Sequence, residues 1–276
     1  MMHLNGGRLV AIARKEVREY RRSRFIIGTM VVLPLIFMLD PMITIFAVGP
    51  TARAALVARA VGSTFLLLLV VPAVVPATIA AYSVVGEREQ GTLEPLLTTP
   101  VRREEILLGK ALASIVPSVG IAYALFAVVV VCAHLFASNP TVASTLTEGP
   151  HILAEALFAP LLAAWSIWVG TAISARSSDV RVAQQLGSLA SLPPLGVTAL
   201  VSFQILAPSV ALAVEFGLGL LALDVALWLV VSAMFERERL ITGARAQRAD
   251  GTGGGPHGEV RRIRRTGGDD GGRSDT

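Results

Sequence analysis

Three acidic residues lie inside long apolar stretches of the sequence, where a charged side chain is costly and often functional. They are Asp40, Glu215 and Asp224. Glu215 and Asp224 are nine residues apart, which at about 100° per residue predicts opposite faces of one helix. Asp40 precedes Pro41, so it could instead lie where its helix breaks. For each acid the sequence leaves open a role in a substrate pathway and a role in helix packing.

Two histidines near the ends of apolar stretches suggest a second kind of chemistry. His151 and Glu155 are four residues apart and therefore on one helical face, and His134 lies near the end of the preceding stretch. Together they could hold a metal ion or relay a proton at the outer surface. Ordinary interfacial polar residues are the better interpretation, because no further ligands accompany them. We therefore predict no metal site and no catalytic residue.

The only Gly-Lys pair of the chain, Gly109-Lys110, does not belong to a loop that binds nucleotide phosphates. Such a loop requires Gly five residues before Gly109 and Ser or Thr after Lys110, but this chain has Glu104 and Ala111 there. The motifs H-E-x-x-H and G-x-S-x-G are absent from the sequence as well. The sequence therefore predicts that the chain has no ATP site of its own.

The elements that carry these residues are predicted to be membrane-spanning helices. The chain is 53% hydrophobic and only 16% charged, whereas soluble domains are about 25% charged. Each apolar stretch is about 20 residues or more, enough to cross the hydrocarbon layer as a helix. We expect an all-α membrane protein with six spans at about 25–48, 61–85, 107–136, 151–174, 183–206 and 209–234. The fifth span is the weakest prediction, because Pro193-Pro194 must kink or break it.

The basic residues predict how the spans are oriented. With six spans and a cytoplasmic N-terminus, all of the 24 Lys and Arg residues except Arg53 and Arg59 lie on the cytoplasmic side. This is what the positive-inside rule requires. Membrane orientation also explains the pI of about 9.8 without nucleic-acid binding. We expect a multi-pass protein of the plasma membrane with both termini in the cytoplasm.

Two terminal segments flank the predicted membrane domain of residues 25–243. Residues 1–24 have helical order, with Leu9 and Ile12 on an apolar face and basic residues on the other, which is typical of a helix lying in the headgroup layer. A basic flank of the first span is the alternative. Residues 244–276 are rich in Gly, Arg and Asp and predict a disordered cytoplasmic tail.

The charged segment 86–106, between spans two and three, contains the signals of a short helix. Gly91 permits a turn, and Thr92 is a suitable N-cap for a helix over residues 93–97. Pro100 ends it, because the residue before a proline disfavours the α conformation. The leucines of this helix would form a short apolar ridge inside a charged rim, which is a shape suited to docking a protein partner.

The sequence resembles the permease subunits of type-2 ABC exporters. The resemblance rests on EREQGTLEPLLTTPV followed by ILLGK in the loop, on RKEVREYRRSRF before the first span, and on FERERLITG after the last. It extends over most of residues 8–243. The resemblance implies six spans, an amphipathic N-terminal helix, and a coupling helix between spans two and three.

The resemblance also implies partners. A separate ABC ATP-binding subunit, which binds ATP and Mg²⁺, would dock on the coupling helix, and a second permease chain, identical or related, would complete the channel in the lipid bilayer. This chain itself would need no cofactor. The residues that match the family's coupling element are Glu87, Glu89, Gly91, Thr92, Leu93, Glu94, Leu96, Leu97, Thr99 and Pro100.

Three functions are compatible with the sequence. The first is an ATP-driven export permease. The second is a membrane anchor or assembly factor that keeps the permease fold but transports nothing. The third is a membrane-embedded enzyme that would use Asp40, Asp224 or His151. The sequence favours the first, and its apolar spans with scattered Ser and Thr are compatible with drugs, lipids, peptides or an ion as substrate.

Overall fold

The computed structural model describes residues 6–89, 103–177, 179–203, 205–207 and 209–252, and in these ranges all regular structure is helical. The chain divides into two units, Met1–Phe235 and Glu236–Thr276, and the contacts below belong to the first. The helices of the described residues are α1 (Gly6–Tyr20), α2 (Arg24–Ala47), α3 (Ala54–Glu89), α4 (Arg103–Phe136), α5 (Pro140–Leu146), α6 (Gly149–Arg176), α7 (Val180–Ala190), α8 (Pro193–Ser202) and α9 (Val210–Thr252).

Five of these helices are long and apolar enough to cross a membrane. Within the described ranges they are α2, α3, α4, α6 and α9. Their bounds lie close to five of the six predicted spans, although α3 begins earlier and α9 continues further than the apolar stretches alone indicated. The prediction of an all-helical membrane protein is therefore confirmed.

Helix α3 lies at the centre of the packing. It contacts α2, α4, α5, α6, α7 and α8, and 78% of its most apolar 18-residue window is buried, far more than in any other spanning helix. Small residues let its neighbours approach closely, as is common between membrane helices. Gly170 of α6, for example, lies so near α3 that an added Cβ would be 2.9 Å from Ala80 Cβ.

The predicted fifth span is two short helices rather than one. Helix α7 has 11 residues and α8 has 10, so neither is long enough to cross by itself. Pro193 and Pro194 begin α8 at its first positions, where the missing N–H groups do no harm. Because these prolines have no N–H, the carbonyl groups one turn before them in the chain lack intrahelical donors. The indole N–H of Trp165 donates instead to the Ala190 carbonyl at 3.2 Å.

Together α7 and α8 run along α3 in the opposite direction. Ala183 of α7 clusters with Ala81, and the next turn brings Gly187 within 3.7 Å of Ala77 Cβ, measured from an added Cβ. Further on, Ser202 of α8 packs against Gly62 so tightly that a Cβ there would be 2.6 Å from the Ser202 carbonyl oxygen. Sequence number therefore rises along α7 and α8 as it falls along α3.

Helix α9 packs on α6 through aromatic side chains and runs parallel to it. The rings of Phe158 and Phe216 are 5.0 Å apart, and those of Trp168 and Trp228 are 4.9 Å apart. Because both residue numbers rise from the first pair to the second, the two helices point the same way. The chain between α6 and α9 must therefore return along the bundle, and α7 and α8 are that return.

Two features complete the described structure. Helix α5 was not predicted; it begins after Asn139, whose side chain accepts from the Thr141 N–H and donates to the Gly49 carbonyl. Helix α9 continues to Thr252 and so includes the first nine residues of the segment predicted as a disordered tail. Residues 253–276 lie outside the described residues, and the tail stays a prediction.

Candidate functional site

The start of α4, which directly follows the predicted coupling segment, is covered by α1. Lys110 Nζ lies 3.5 Å from Glu16 Oε1, and Arg8 Nη1 lies 3.7 Å from Glu105 Oε2. Glu16 is only 3% exposed and Lys110 only 9%. Buried charges require a partner of opposite sign, so these ion pairs fix how α1 sits on α4. We call this contact the α1–α4 junction.

Close packing continues the α1–α4 junction along both helices. At Gly109 an added Cβ would be 2.6 Å from Ile12 Cγ2, so only glycine allows this approach. Towards the end of α1, the Tyr20 hydroxyl is 3.2 Å from Ser114 Oγ. Gly109 and Lys110, which fail as a phosphate-binding loop, thus serve helix docking. The sequence places Glu16 on the same helical face as Leu9 and Ile12, but this pattern alone does not show that α4 covers that face.

The three predicted pathway acids do not come together. Asp40 and Glu215 are exposed on the surfaces of α2 and α9, and Thr44 Oγ1 donates to Asp40 Oδ2 at 3.5 Å. Asp224 is only 5% exposed, and neither of its carboxylate oxygens has a hydrogen-bond partner among the described residues. The unequal burial of Glu215 and Asp224 agrees with the expectation that they lie on opposite faces of their helix.

Glu155 is a second buried acid, whose burial the sequence did not indicate. It is 2% exposed, and both of its carboxylate oxygens lack a partner among the described side chains and backbone. The nearby Tyr123 hydroxyl donates to the Ala156 carbonyl instead, at 2.8 Å. Nothing in the spacing of Glu155 distinguishes it from an interfacial residue, so only helix packing reveals its position.

The histidines considered for a metal site have separate surroundings. His151 stacks on Phe65, with ring centroids 4.9 Å apart, and His134 Nδ1 lies 2.9 Å from the Val130 carbonyl oxygen of its own helix. In the part of the chain that the structure describes, no group of three or more His, Cys, Asp or Glu residues is placed to hold a metal ion.

A small apolar cavity of about 70 Å³ lies between α3, α6, α8 and α9. Phe65, Phe158 and Phe216 line it, and His151 and Thr198 supply polar atoms at its wall. Its volume is well below the roughly 300–1,000 Å³ of small-molecule sites. None of the three predicted pathway acids borders it, although His151, which was considered for a metal site, lies in its wall.

The comparison with known families covers both the helical bundle and the α1–α4 junction. The family model described as ABC-2 family transporter protein matches residues 10–236. The chain belongs to the ABC-2 transporter family. As an ABC-2 protein it is a membrane permease of an ABC transporter, which agrees with the absence of a phosphate-binding loop from its sequence. Among proteins with curated functions, none matches the chain.

The predicted coupling element of this ABC-2 permease lies only partly within the described residues. Glu87 and Glu89 belong to the last turns of α3, whose backbone is helical there. The rest of the predicted element lies outside the described residues, namely Gly91, Thr92, Leu93, Glu94, Leu96, Leu97, Thr99 and Pro100. The structure does show the two helices that this segment connects: α3 ends at Glu89, and α4 begins at Arg103, beside the α1–α4 junction.

Proposed function

We propose that the chain is the membrane-spanning subunit of an ABC exporter, which moves a substrate across the plasma membrane with energy from ATP hydrolysed by a separate subunit. The observation that carries the proposal is the family match, which extends over the bundle and the α1–α4 junction. The loop motif EREQGTLEPLLTTPV supports the direction of transport, because it resembles the loops of exporters.

The proposal includes six crossings, with α7 and α8 together as the fifth. Support comes from their antiparallel course along α3 between Ala81 and Gly62. Those positions are separated by about 28 Å at 1.5 Å per residue, close to the roughly 30 Å of a bilayer's hydrocarbon core. Five crossings would put the termini on opposite sides, whereas six allow the basic N- and C-terminal segments both to be cytoplasmic.

We further propose that the segment between α3 and α4 is a coupling helix on which the ATP-binding subunit docks. Movement of that helix would pass directly to α4, and through the α1–α4 junction to α1, because Lys110 and Glu16 join the two helices in a buried ion pair. ATP and Mg²⁺ would be held by the partner subunit.

A second permease chain would complete the transport pathway. Asp40 and Glu215 are exposed on helices that are otherwise suited to lipid, and a carboxylate facing hydrocarbon is costly. Burial against a second, identical or related, chain removes this cost, which supports a dimer. Asp224, which α6 and α9 already bury, would then be the pathway acid that one chain supplies by itself.

The decisive experiment is purification of the tagged chain together with its ATP-binding subunit, followed by ATPase assays in nanodiscs. Glu94→Arg and Leu97→Asp should detach the ATP-binding subunit or abolish its stimulation while the permease stays monodisperse. Glu148→Arg, a charge reversal at an exposed position just before α6, is the matched control and should retain both.

Two results would contradict the proposal. If both loop variants keep the ATP-binding subunit and its stimulated hydrolysis, the coupling assignment is wrong. If the reconstituted complex hydrolyses ATP but moves no compound across vesicles, the chain is a non-transporting anchor or assembly factor instead.

A further inference from the structure

A groove between α4, α6 and α9 has a composition unlike the rest of the apolar bundle. It has a volume of about 530 Å³ and is open to its surroundings, and this volume is within the range of sites for drug-sized molecules. Leu108 and Leu161 form apolar parts of its wall. Its polar side chains are both acidic, Asp224 within α9 and Glu104 at the start of α4.

Asp224 lines this groove without a partner of its own. The residue is 5% exposed, and both carboxylate oxygens are buried with no hydrogen-bond donor in the described part of the chain. It lies ten residues before Met234, the end of the apolar part of α9, which is about 15 Å along the helix. A buried carboxylate without a donor or counter-ion is costly at this depth. The described residues that line the groove include no Lys, Arg or His.

Two tryptophans flank the acid. Trp228 follows Asp224 by one helical turn and therefore lies on the same face of α9. Its ring centroid is 4.9 Å from that of Trp168 on α6, with the planes at 59° to each other, and both residues line the groove. Indole faces attract cations more strongly than other aromatic rings do, and the attraction increases when water is excluded.

From these observations we propose that the groove of Asp224, Trp168 and Trp228 binds a lipophilic organic cation, an ammonium or other onium group on an apolar body. The carboxylate would supply the counter-charge, the indoles would contact the cationic face, and the leucines would cover the apolar body. A neutral or anionic molecule of the same shape would leave Asp224 without a partner and would bind less well.

The onium group could come from two sources. A free lipophilic cation could enter from the membrane or the cytoplasm, or the ammonium headgroup of a lipid such as phosphatidylethanolamine could occupy the groove. Binding does not depend on the exporter function, but the statement that this cation is the transported substrate rests on it.

The test compares two ions of nearly equal shape and opposite charge, tetraphenylphosphonium and tetraphenylborate. Equilibrium dialysis measures each ion bound to the full chain in phosphatidylglycerol nanodiscs, against protein-free nanodiscs of the same lipid. The phosphonium should bind saturably and at least about tenfold more tightly than the borate, because it carries the charge opposite to that of Asp224 in a partly dry groove. Equal binding of the two ions would overturn the proposal.

Substitutions then assign the binding to the groove. Asp224→Asn keeps the shape of the side chain but removes its charge and should weaken phosphonium binding at least about tenfold, whereas Asp224→Glu should keep most of it. Glu148→Gln is the matched control, because Glu148 is an exposed acid just before α6 and does not line the groove, and it should bind like the unaltered chain. If Asp224→Asn retains full affinity, the site is not this groove.

Further measurements separate folding, lipid and transport. If Asp224→Asn is not monodisperse, Trp228→Leu replaces it, with the same expected loss. Adding phosphatidylethanolamine to the nanodiscs should compete with the phosphonium if the lipid is the natural occupant, and should leave binding unchanged if a free cation is. Phosphonium binding without any stimulation of ATP hydrolysis in the complex would support the site and contradict its role in export, so the two proposals can fail separately.

Discussion

Replacing Lys110 by Met removes the buried positive charge that Glu16 of α1 faces at 3.5 Å. The apolar part of the side chain is kept, so the packing of α4 should change little. Glu16 keeps its contact with Lys15, whose Nζ is 3.6 Å from the same carboxylate oxygen. Lys15 is half exposed, whereas Lys110 is almost buried. The substitution therefore tests whether the inner ion pair holds α1 against α4.

The expected magnitude follows from the distance and the burial. Two unit charges at this separation attract by about 5 kcal/mol at an effective dielectric constant of about 20. Desolvation opposes part of this energy, and breaking a buried pair typically destabilises by about 3–5 kcal/mol. Because Lys15 still compensates part of the Glu16 charge, we expect a loss of about 1–3 kcal/mol in docking of α1, or roughly 5- to 150-fold in its docking equilibrium.

Hydrogen exchange with mass spectrometry measures this loss directly, because amides exchange through local opening. Peptides of α1 in Lys110→Met should exchange faster by the same factor, and peptides of α6 should not change. Lys15→Met is the control: it removes a half-exposed partner of Glu16 and should cost less than about 1 kcal/mol. Adding Glu16→Gln to Lys110→Met should recover part of the protection. Equal effects of the two lysine substitutions would refute the assignment of docking energy to the buried pair.

Two further substitutions test close contacts. Gly109→Val places a Cβ 2.6 Å from Ile12 Cγ2, and this overpacking of about 1–3 kcal/mol should accelerate hydrogen exchange in α1. Gly120→Val is the control, because it lies on the same helix with open space around it and should leave exchange in α1 unchanged. Equal exchange in the two variants would contradict the close approach. Trp165→Phe leaves the Ala190 carbonyl without its indole donor and should lower the thermal midpoint through a loss of about 1–3 kcal/mol; an unchanged midpoint would show that the carbonyl has another donor.

Five spans were predicted well because each is a long apolar stretch bounded by charged residues or turn-forming residues. The length of a membrane-crossing helix is set by the thickness of the bilayer, so composition alone locates it. The fifth span was uncertain because composition does not show how a helix continues past two prolines. Pro193 and Pro194 interrupt the helix, and hydropathy does not reveal which donors bind the freed carbonyl groups. The structure supplies the answer in Trp165, 25 residues from Ala190.

The candidate site could be predicted only in part. The loop motif predicts the region where a partner would dock, and the coupling residues from Gly91 to Pro100 stay predictions because they lie outside the described residues. The sequence did not indicate that α1 docks on α4. Amphipathicity shows that a helix has an apolar face, but not whether lipid or protein covers it.

The sequence by itself determined that the protein is embedded in a membrane, where its long apolar helices lie, and that it lacks a phosphate-binding loop motif. Each of these depends on local composition or short motifs. Only the tertiary structure decided which charged side chains are buried. Asp40, Glu215 and Asp224 look alike in sequence, yet only Asp224 is enclosed, beside Trp168 and Trp228. Burial depends on which helix face meets which neighbour, and that is set by contacts between residues far apart in the chain.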